Sequence, residues 1–268
     1  MGVGPLGKKG CQNMHNQNKK NNVALIPARS GSKRIINKNI KILNGHPLIA
    51  YTIISAQDSK IFDDVVVSTD SNNIRKIAEY YGASVPFLRP PEYATDKSPD
   101  IQFVKHALDE LAKQQKNYSQ FSILRPTSPF RKPTTIRKAF QIFSNSNSDS
   151  LRAVEKCLEH PCKMWVVKDE FIEPFVKLDI TGPMSQPLHS SQYPSLPEVY
   201  VQNASLEIAN SYVVYEQNNI SGSKIIPFFT EGDEGMDVNV EEDWIKAEIL
   251  IQIQKASLPI IHKKPFNL

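Results

Sequence analysis

Val23-Ala24-Leu25-Ile26-Pro27-Ala28 is an unbroken apolar run that empties into the small, basic loop Arg29-Ser30-Gly31-Ser32-Lys33-Arg34. A strand with no polar alternation has no face to give to water. The run therefore predicts a strand covered on both sides, as in a parallel sheet flanked by helices. The next segments keep that plan. Residues 47–59 read as a helix, 64–69 as a strand ending at Asp70, and 72–81 as a helix stopped by Gly82, a natural left-handed cap. Residues 83–88 read as a third strand. Ser98-Pro99-Asp100 opens a further helix, with Ser98 as N-cap and Ile101, Val104, Leu108 and Leu111 at helical spacing. Residues 121–124 form a fourth strand, the loop Arg125-Pro126-Thr127-Ser128-Pro129 follows, and a helix starts near Thr134. Alternating strands and helices imply an α/β fold with a doubly wound, mostly parallel, Rossmann-like sheet. Such sheets bind ligands at the carboxyl ends of their strands.

A chain of 268 residues holds one such domain with an insertion. Residues 23–268 are expected to be that domain. Residues 150–200, rich in proline and loosely patterned, read as an inserted oligomer-forming arm, and 241–255 as a closing helix. Residues 1–22 lack an apolar run and are expected to be a disordered tail or a non-native start. Their formal GxGxxG, Gly2 to Gly7, has no strand before it and contains Pro5. No stretch approaches the length of a membrane span. A net charge of +4, partly from lysines in that tail, does not suggest a nucleic-acid surface. Three cysteines in an ordinary composition suggest reduced thiols and a cytoplasmic setting.

Arg29, Ser32, Lys33, Arg34 and Lys38 follow the buried strand directly, beside Gly31. Cations on a tight loop at a strand end suit a polyphosphate, although the spacing is not that of a Walker loop. Other candidates have plainer readings. Cys157, His160 and Cys162 do not fit a common zinc spacing. Asp70 suits a turn as well as a ligand. Glu241, Glu242 and Asp243 suit the first turn of a helix. Trp165, Phe171 and Phe175 suit a core or an interface.

Several blocks stand in order along the chain: Ile26 to Ile35 with Lys38-Asn39, Val67-Ser68-Thr69-Asp70, Phe87-Leu88-Arg89-Pro90, Ala94-Thr95-Asp96, Leu124 to Arg131, Glu159-His160-Pro161, and Gly235-Met236-Asp237-Val238-Asn239 with Glu242-Asp243-Trp244. Together they resemble the acylneuraminate cytidylyltransferases, the CMP-sialic acid synthetases. The resemblance implies transfer of CMP from CTP to the anomeric hydroxyl of a nine-carbon 2-keto sugar acid, with Mg2+ as cofactor and a homodimer as the working form. It implies phosphate contacts for Arg29 and Lys38, and a nucleotide pocket that includes Ala28, Ser32, Asn39, Arg89 and Ser98. It puts Arg125, Lys163 and Asn203 toward the sugar, and Asp237 and Asn239 at the metal. Arg29, Lys38 and Asp237 are the expected catalytic set. Three positions depart from the family's pattern. Asn239 stands where a second aspartate is usual, Arg125 stands where glutamine is usual, and the residues before Asn203 are altered. Two other readings compete: a related sugar-activating nucleotidyltransferase, such as one for an eight-carbon keto acid, and a nucleotide-binding homologue with reduced catalysis.

Overall fold

The computed structural model describes residues 21–177 and 181–267. Strand β1 (Asn22–Pro27) leads through the small hairpin β2 (Ile42–Leu43) and β3 (His46–Pro47) into α1 (Leu48–Ser59). Then come β4 (Asp64–Ser68), α2 (Asn72–Tyr80), α3 (Asp100–Lys113), β5 (Gln120–Ile123), α4 (Pro133–Ser144) and β6 (Ser150–Lys156). A second hairpin, β7 (Trp165–Lys168) and β8 (Phe171–Pro174), precedes the long β9 (Tyr200–Asn210), α5 (Tyr212–Glu216), β10 (Ile225–Phe229) and α6 (Glu241–Gln252). The main sheet has the order β10-β6-β9-β5-β1-β4, and its strands run parallel except β9, which is antiparallel to both β5 and β6.

Alternate side chains of β1 enter different cores. Ala24 and Ile26 pack with Ile49 and Ile53 of α1, Ile77 of α2 and Phe140 of α4. Val23 and Leu25 pack with Phe103 and Val104 of α3 and with Val213 of α5. Burying such a side chain is worth about 1.5–3 kcal/mol, whereas strand propensity spans about 1 kcal/mol in all. Double-sided burial therefore decides that this run is a central strand. A third cluster joins Ile35, Leu43, Leu48 and Phe130 to Val238 and to Trp244 of α6. It ties the loop after β1 to a segment two hundred positions later.

The expected third strand does not form. Ser84 makes one bridge to Val66, with Ser84 N–H donating to Val65 O at 2.8 Å. Pro86 then has no N–H to continue the ladder. Ser98 is not the N-cap of α3; Pro99 holds that position, and the Ser98 hydroxyl bonds back to Glu92 O at 2.9 Å. Strand β6 belongs to the main sheet, so the inserted arm begins after Lys156 rather than at residue 150. Residues 1–20 of the expected tail lie outside the described residues, and Asn22 already belongs to β1.

The arm carries part of the exposed apolar surface. Met164, Trp165, Val167, Phe171, Ile172 and Phe175 are all exposed on or beside its hairpin. Among the described residues, no helix is long and apolar enough to cross a membrane.

Candidate active site

The strand ends of β1, β4 and β5 lie side by side, because Pro27 pairs with Ser68 and Leu25 with Ile123. From that edge the basic loop is held at several points. Asp70 accepts from the Ser30 N–H at 2.8 Å and from its hydroxyl at 2.7 Å. Its carboxylate is thus a turn clamp. Asn39, almost fully buried, donates to Arg29 O at 3.0 Å. Asn37 adopts a left-handed conformation, φ 53°, which asparagine tolerates better than most residues. With Ile35 anchored in the third core cluster, Arg29, Lys33 and Arg34 are left to face outward.

These residues line a cavity of about 370 Å³ with Pro27, Ser32, Lys38, Asn39, Arg89, Arg125, Pro126, Thr127, Asp237 and Asn239. Arg29 and Lys33 share one carboxylate across the mouth: Asp96 meets them at 2.5 and 2.6 Å. Arg89 is 5% exposed. Its Nη2 donates to Ser68 O at 2.6 Å, and its guanidinium lies over the Phe103 ring at 4.8 Å. Burial pulls its pKa down to about 10, which leaves it charged at neutral pH. Six cations, Arg29, Lys33, Arg34, Lys38, Arg89 and Arg125, thus line the cavity with one carboxylate, that of Asp237, among the described residues.

Val238 is fully buried, and its N–H donates to Thr127 O at 2.8 Å. The anchor turns Asp237 and Asn239 into the cavity on either side. Asn239 Nδ2 donates to Asp237 Oδ2 at 2.5 Å, while Lys38 Nζ donates to Val238 O at 2.8 Å and to Asn239 Oδ1 at 3.2 Å. Asp237 Oδ1 is buried and has no hydrogen-bond partner among the described residues. Burial lowers the Lys38 pKa, and the charge of Asp237 works in the opposite direction. An unpartnered carboxylate oxygen beside an amide carbonyl fits a hard divalent cation that completes its shell with phosphate and water oxygens. The first turn of α6 supports the loop, because Asp243 accepts from the N–H groups of Asn239 and Val240 at 2.8 and 3.0 Å.

A second cavity of about 630 Å³ shares Asp237 with the first and is walled by Glu155, Met164, Val201, Asn203, Met236 and others. Asn203 donates to Thr230 Oγ1 at 2.8 Å and accepts from the Ser205 N–H, so its side chain is fixed in that wall. Gly235 allows the close approach: a Cβ there would stand 2.4 Å from Glu155 Oε2. Three expected contacts lie elsewhere. Ala28 is in the core, with its N–H on Ser68 O. Ser98 shapes the 92–98 turn. Lys163 lines neither cavity and instead donates to His189 O and Ser191 O at 2.8 and 2.6 Å, closing the arm on itself. His160 accepts from the Cys162 N–H, which leaves the proton on Nε2 to donate to Pro197 O at 2.9 Å.

Sequence reasoning missed Asp96 as a site carboxylate, and it missed Glu207 altogether. Glu207 is buried on β9, takes Arg125 Nη2 at 2.8 Å, and pairs with Arg152 through its other oxygen. A lone acid inside the apolar run Leu206-Glu207-Ile208 was the available signal. Arg125 also meets Asp100 at 2.5 Å. Burial alone would lower its pKa, but Asp100 and Glu207 outweigh it and raise the value.

Known proteins are similar to this chain in sequence and in fold. A family model described as cytidylyltransferase matches residues 23–171. The chain is 32% identical over 238 residues to the CMP-N,N'-diacetyllegionaminic acid synthase of Legionella pneumophila, covering 88% of this chain and 98% of that protein. It is 35% identical over 237 residues to an N-acylneuraminate cytidylyltransferase of Escherichia coli, covering 87% of this chain and 52% of that longer protein. A CMP:2-keto-3-deoxy-manno-octonic acid synthetase solved with CTP superposes with a TM-score of 0.61 at 14% identity, over 87% of this chain and 99% of that one. At that identity the likeness is one of fold.

Proposed function

The chain belongs to the cytidylyltransferase family, and from that premise we propose that it transfers CMP from CTP to the anomeric hydroxyl of a nine-carbon 2-keto sugar acid of the sialic, legionaminic or pseudaminic type. The hydroxyl oxygen attacks the α-phosphorus, the bond to the β-phosphate oxygen breaks, and pyrophosphate leaves as the hydroxyl proton is lost. The observation that carries this reading is the pair of cavities that share Asp237: one crowded with cations, the other roomier and partly apolar. The first suits a triphosphate, the second the body of a sugar. The eight-carbon alternative has less support, since its likeness is at 14% identity, whereas the relatives named for nine-carbon acids reach 30% or more.

Both substrates are anions, so the site must offset their repulsion. Arg29, Lys33, Arg34 and Lys38 would draw the β- and γ-phosphates to the end of β1. Released from Asp96, Arg29 and Lys33 would stabilise charge that grows on the leaving pyrophosphate. Arg89, fixed by Ser68, would face the ribose end of the nucleotide. Asp237, with Asn239 as a neutral helper, would hold a magnesium ion, which when bound neutralises phosphate charge and fixes the α-phosphate. A cytoplasmic setting belongs to the same proposal, since the reaction consumes CTP.

CTP should be preferred over ATP and GTP. In a thermal-shift titration with magnesium and each nucleotide in turn, CTP is expected to raise Tm most; a larger shift with a purine nucleotide would overturn the pocket assignment. The working form is proposed to be a homodimer joined through the arm, whose exposed Trp165, Phe171, Ile172 and Phe175 form a patch unusual for a free monomer surface. Light scattering at micromolar concentration should give twice the chain mass, and a monomer would refute the assignment.

A further inference from the structure

Arg131 is the largest fully buried side chain among the described residues, and it lines neither cavity. It is 1% exposed, yet no carboxylate pairs with it among the described residues. Glu234, whose charge reaches it, instead accepts from Thr135 Oγ1 at 2.5 Å. A buried cation without a counter-ion is costly, and an apolar side chain of similar size would fill the core at least as well. What the guanidinium supplies is donors to oxygens on three separate elements. Nη2 donates to Thr52 Oγ1 of α1 at 2.9 Å, and Nη1 donates to Ser205 O of β9. Both nitrogens donate to Arg125 O at the end of β5, Nη2 at 3.3 Å and Nη1 at 3.4 Å.

Arg125 O is the first carbonyl of a tight turn. It also accepts from the Ser128 N–H and from Thr52 Oγ1, both at 3.3 Å. Pro126, with its fixed φ, occupies the second position of that turn. The Thr127 carbonyl that follows takes the Val238 N–H at 2.8 Å, between Asp237 and Asn239. A short series of backbone carbonyls thus runs from the buried guanidinium to the loop proposed to hold the metal.

Resting on the reaction proposed above, we propose that Arg131 is a positioning residue for it. By fixing the Arg125 carbonyl it sets the Thr127 carbonyl, and through Val238 it sets the place of Asp237 and Asn239 in the first cavity.

Two variants of Arg131 test this. Arg131→Met fills the space without the donors, and Arg131→Lys keeps the charge but not the planar fork that reaches three oxygens. Pyrophosphate release with N-acetylneuraminate and N,N'-diacetyllegionaminate is expected to slow about a hundredfold in Arg131→Met and about tenfold in Arg131→Lys. A second readout is independent of turnover. Binding of Mn2+ in the presence of CTP, followed by the EPR signal of the free ion, should weaken about tenfold in Arg131→Met and about threefold in Arg131→Lys. Ser55→Ala is the control for loosened packing. It removes the 2.7 Å bond from Ser55 Oγ to Arg131 O and leaves the guanidinium in place. It should lower Tm and keep rate and Mn2+ affinity within about twofold. If Arg131→Met does not fold, Arg131→Lys decides. Unchanged Mn2+ affinity in a folded Arg131 variant, or an equal loss in Ser55→Ala, would overturn the assignment. A wild-type protein that turns over neither sugar acid would overturn the proposed reaction, while Mn2+ binding would still report on the placement of Asp237.

Discussion

Asp237→Ala is expected to abolish turnover, a loss on the order of a thousandfold or more, while the protein keeps its fold. The loop does not depend on that carboxylate. Val238 is buried in the third core cluster and bonded to Thr127 O, and Asp243 caps the segment from α6. What the variant loses is Oδ1, the buried oxygen left without a partner. Asn239→Asp should act in the opposite sense. It replaces the amide that donates to Asp237 Oδ2 with a second carboxylate, so two negative groups meet at close range beside Lys38. The metal-free variant is therefore expected to melt lower than wild type. Magnesium should raise its Tm by a larger increment, and less magnesium should give the half-maximal rate, because added negative charge strengthens attraction for a hard cation. A magnesium titration of rate and Tm on both variants checks this. Full activity of Asp237→Ala at ordinary magnesium would place the metal on another loop. Absence of pyrophosphate release in both wild type and Asn239→Asp would instead favour a homologue with reduced catalysis.

Lys38→Ala should lose on the order of a hundredfold or more in rate, again in a folded protein. Lys38 Nζ donates to Val238 O and Asn239 Oδ1, next to the oxygens proposed for the metal. Its cation lies beside the Asp237 charge, which opposes the lowering of its pKa by burial. Both bonds are to a loop held by other contacts, so the fold should survive their loss. The rate should not, because a positioned cation acts where charge develops. Circular dichroism would establish folding, and pyrophosphate release would measure the rate; a folded Lys38→Ala variant with near-wild-type turnover would refute the role.

The readable parts of the chain were those whose signal is local. The β1 run, the Gly82 stop after α2 and the spacing of Ile101, Val104, Leu108 and Leu111 each state their own structure. The basic loop was legible for the same reason, because its cations follow one another along the chain. Local signals mislead where two of them compete. Residues 83–88 are apolar enough for a strand, but Pro86 removes the donor that a ladder needs. Strand β9 escaped notice because Gln202, Asn203 and Ser205 dilute its apolar alternation; its pairing with β5 and β6 supplies the order instead.

Double-sided burial and loop chemistry are properties of short segments, so a doubly wound sheet with cations at the end of its first strand can be read along the chain. Packing of the whole chain sets which distant groups meet those cations. It brought Asp237 and Asn239 to Lys38 through the burial of Val238, and Glu207 and Asp100 to Arg125 through the insertion of β9 beside β5. It also turned Lys163 away from the site of its own chain, onto the carbonyls of His189 and Ser191. Those outcomes depend on strand order and on which apolar residue fills which core. Both are settled when the whole chain packs, and neither is written in the spacing of any one segment.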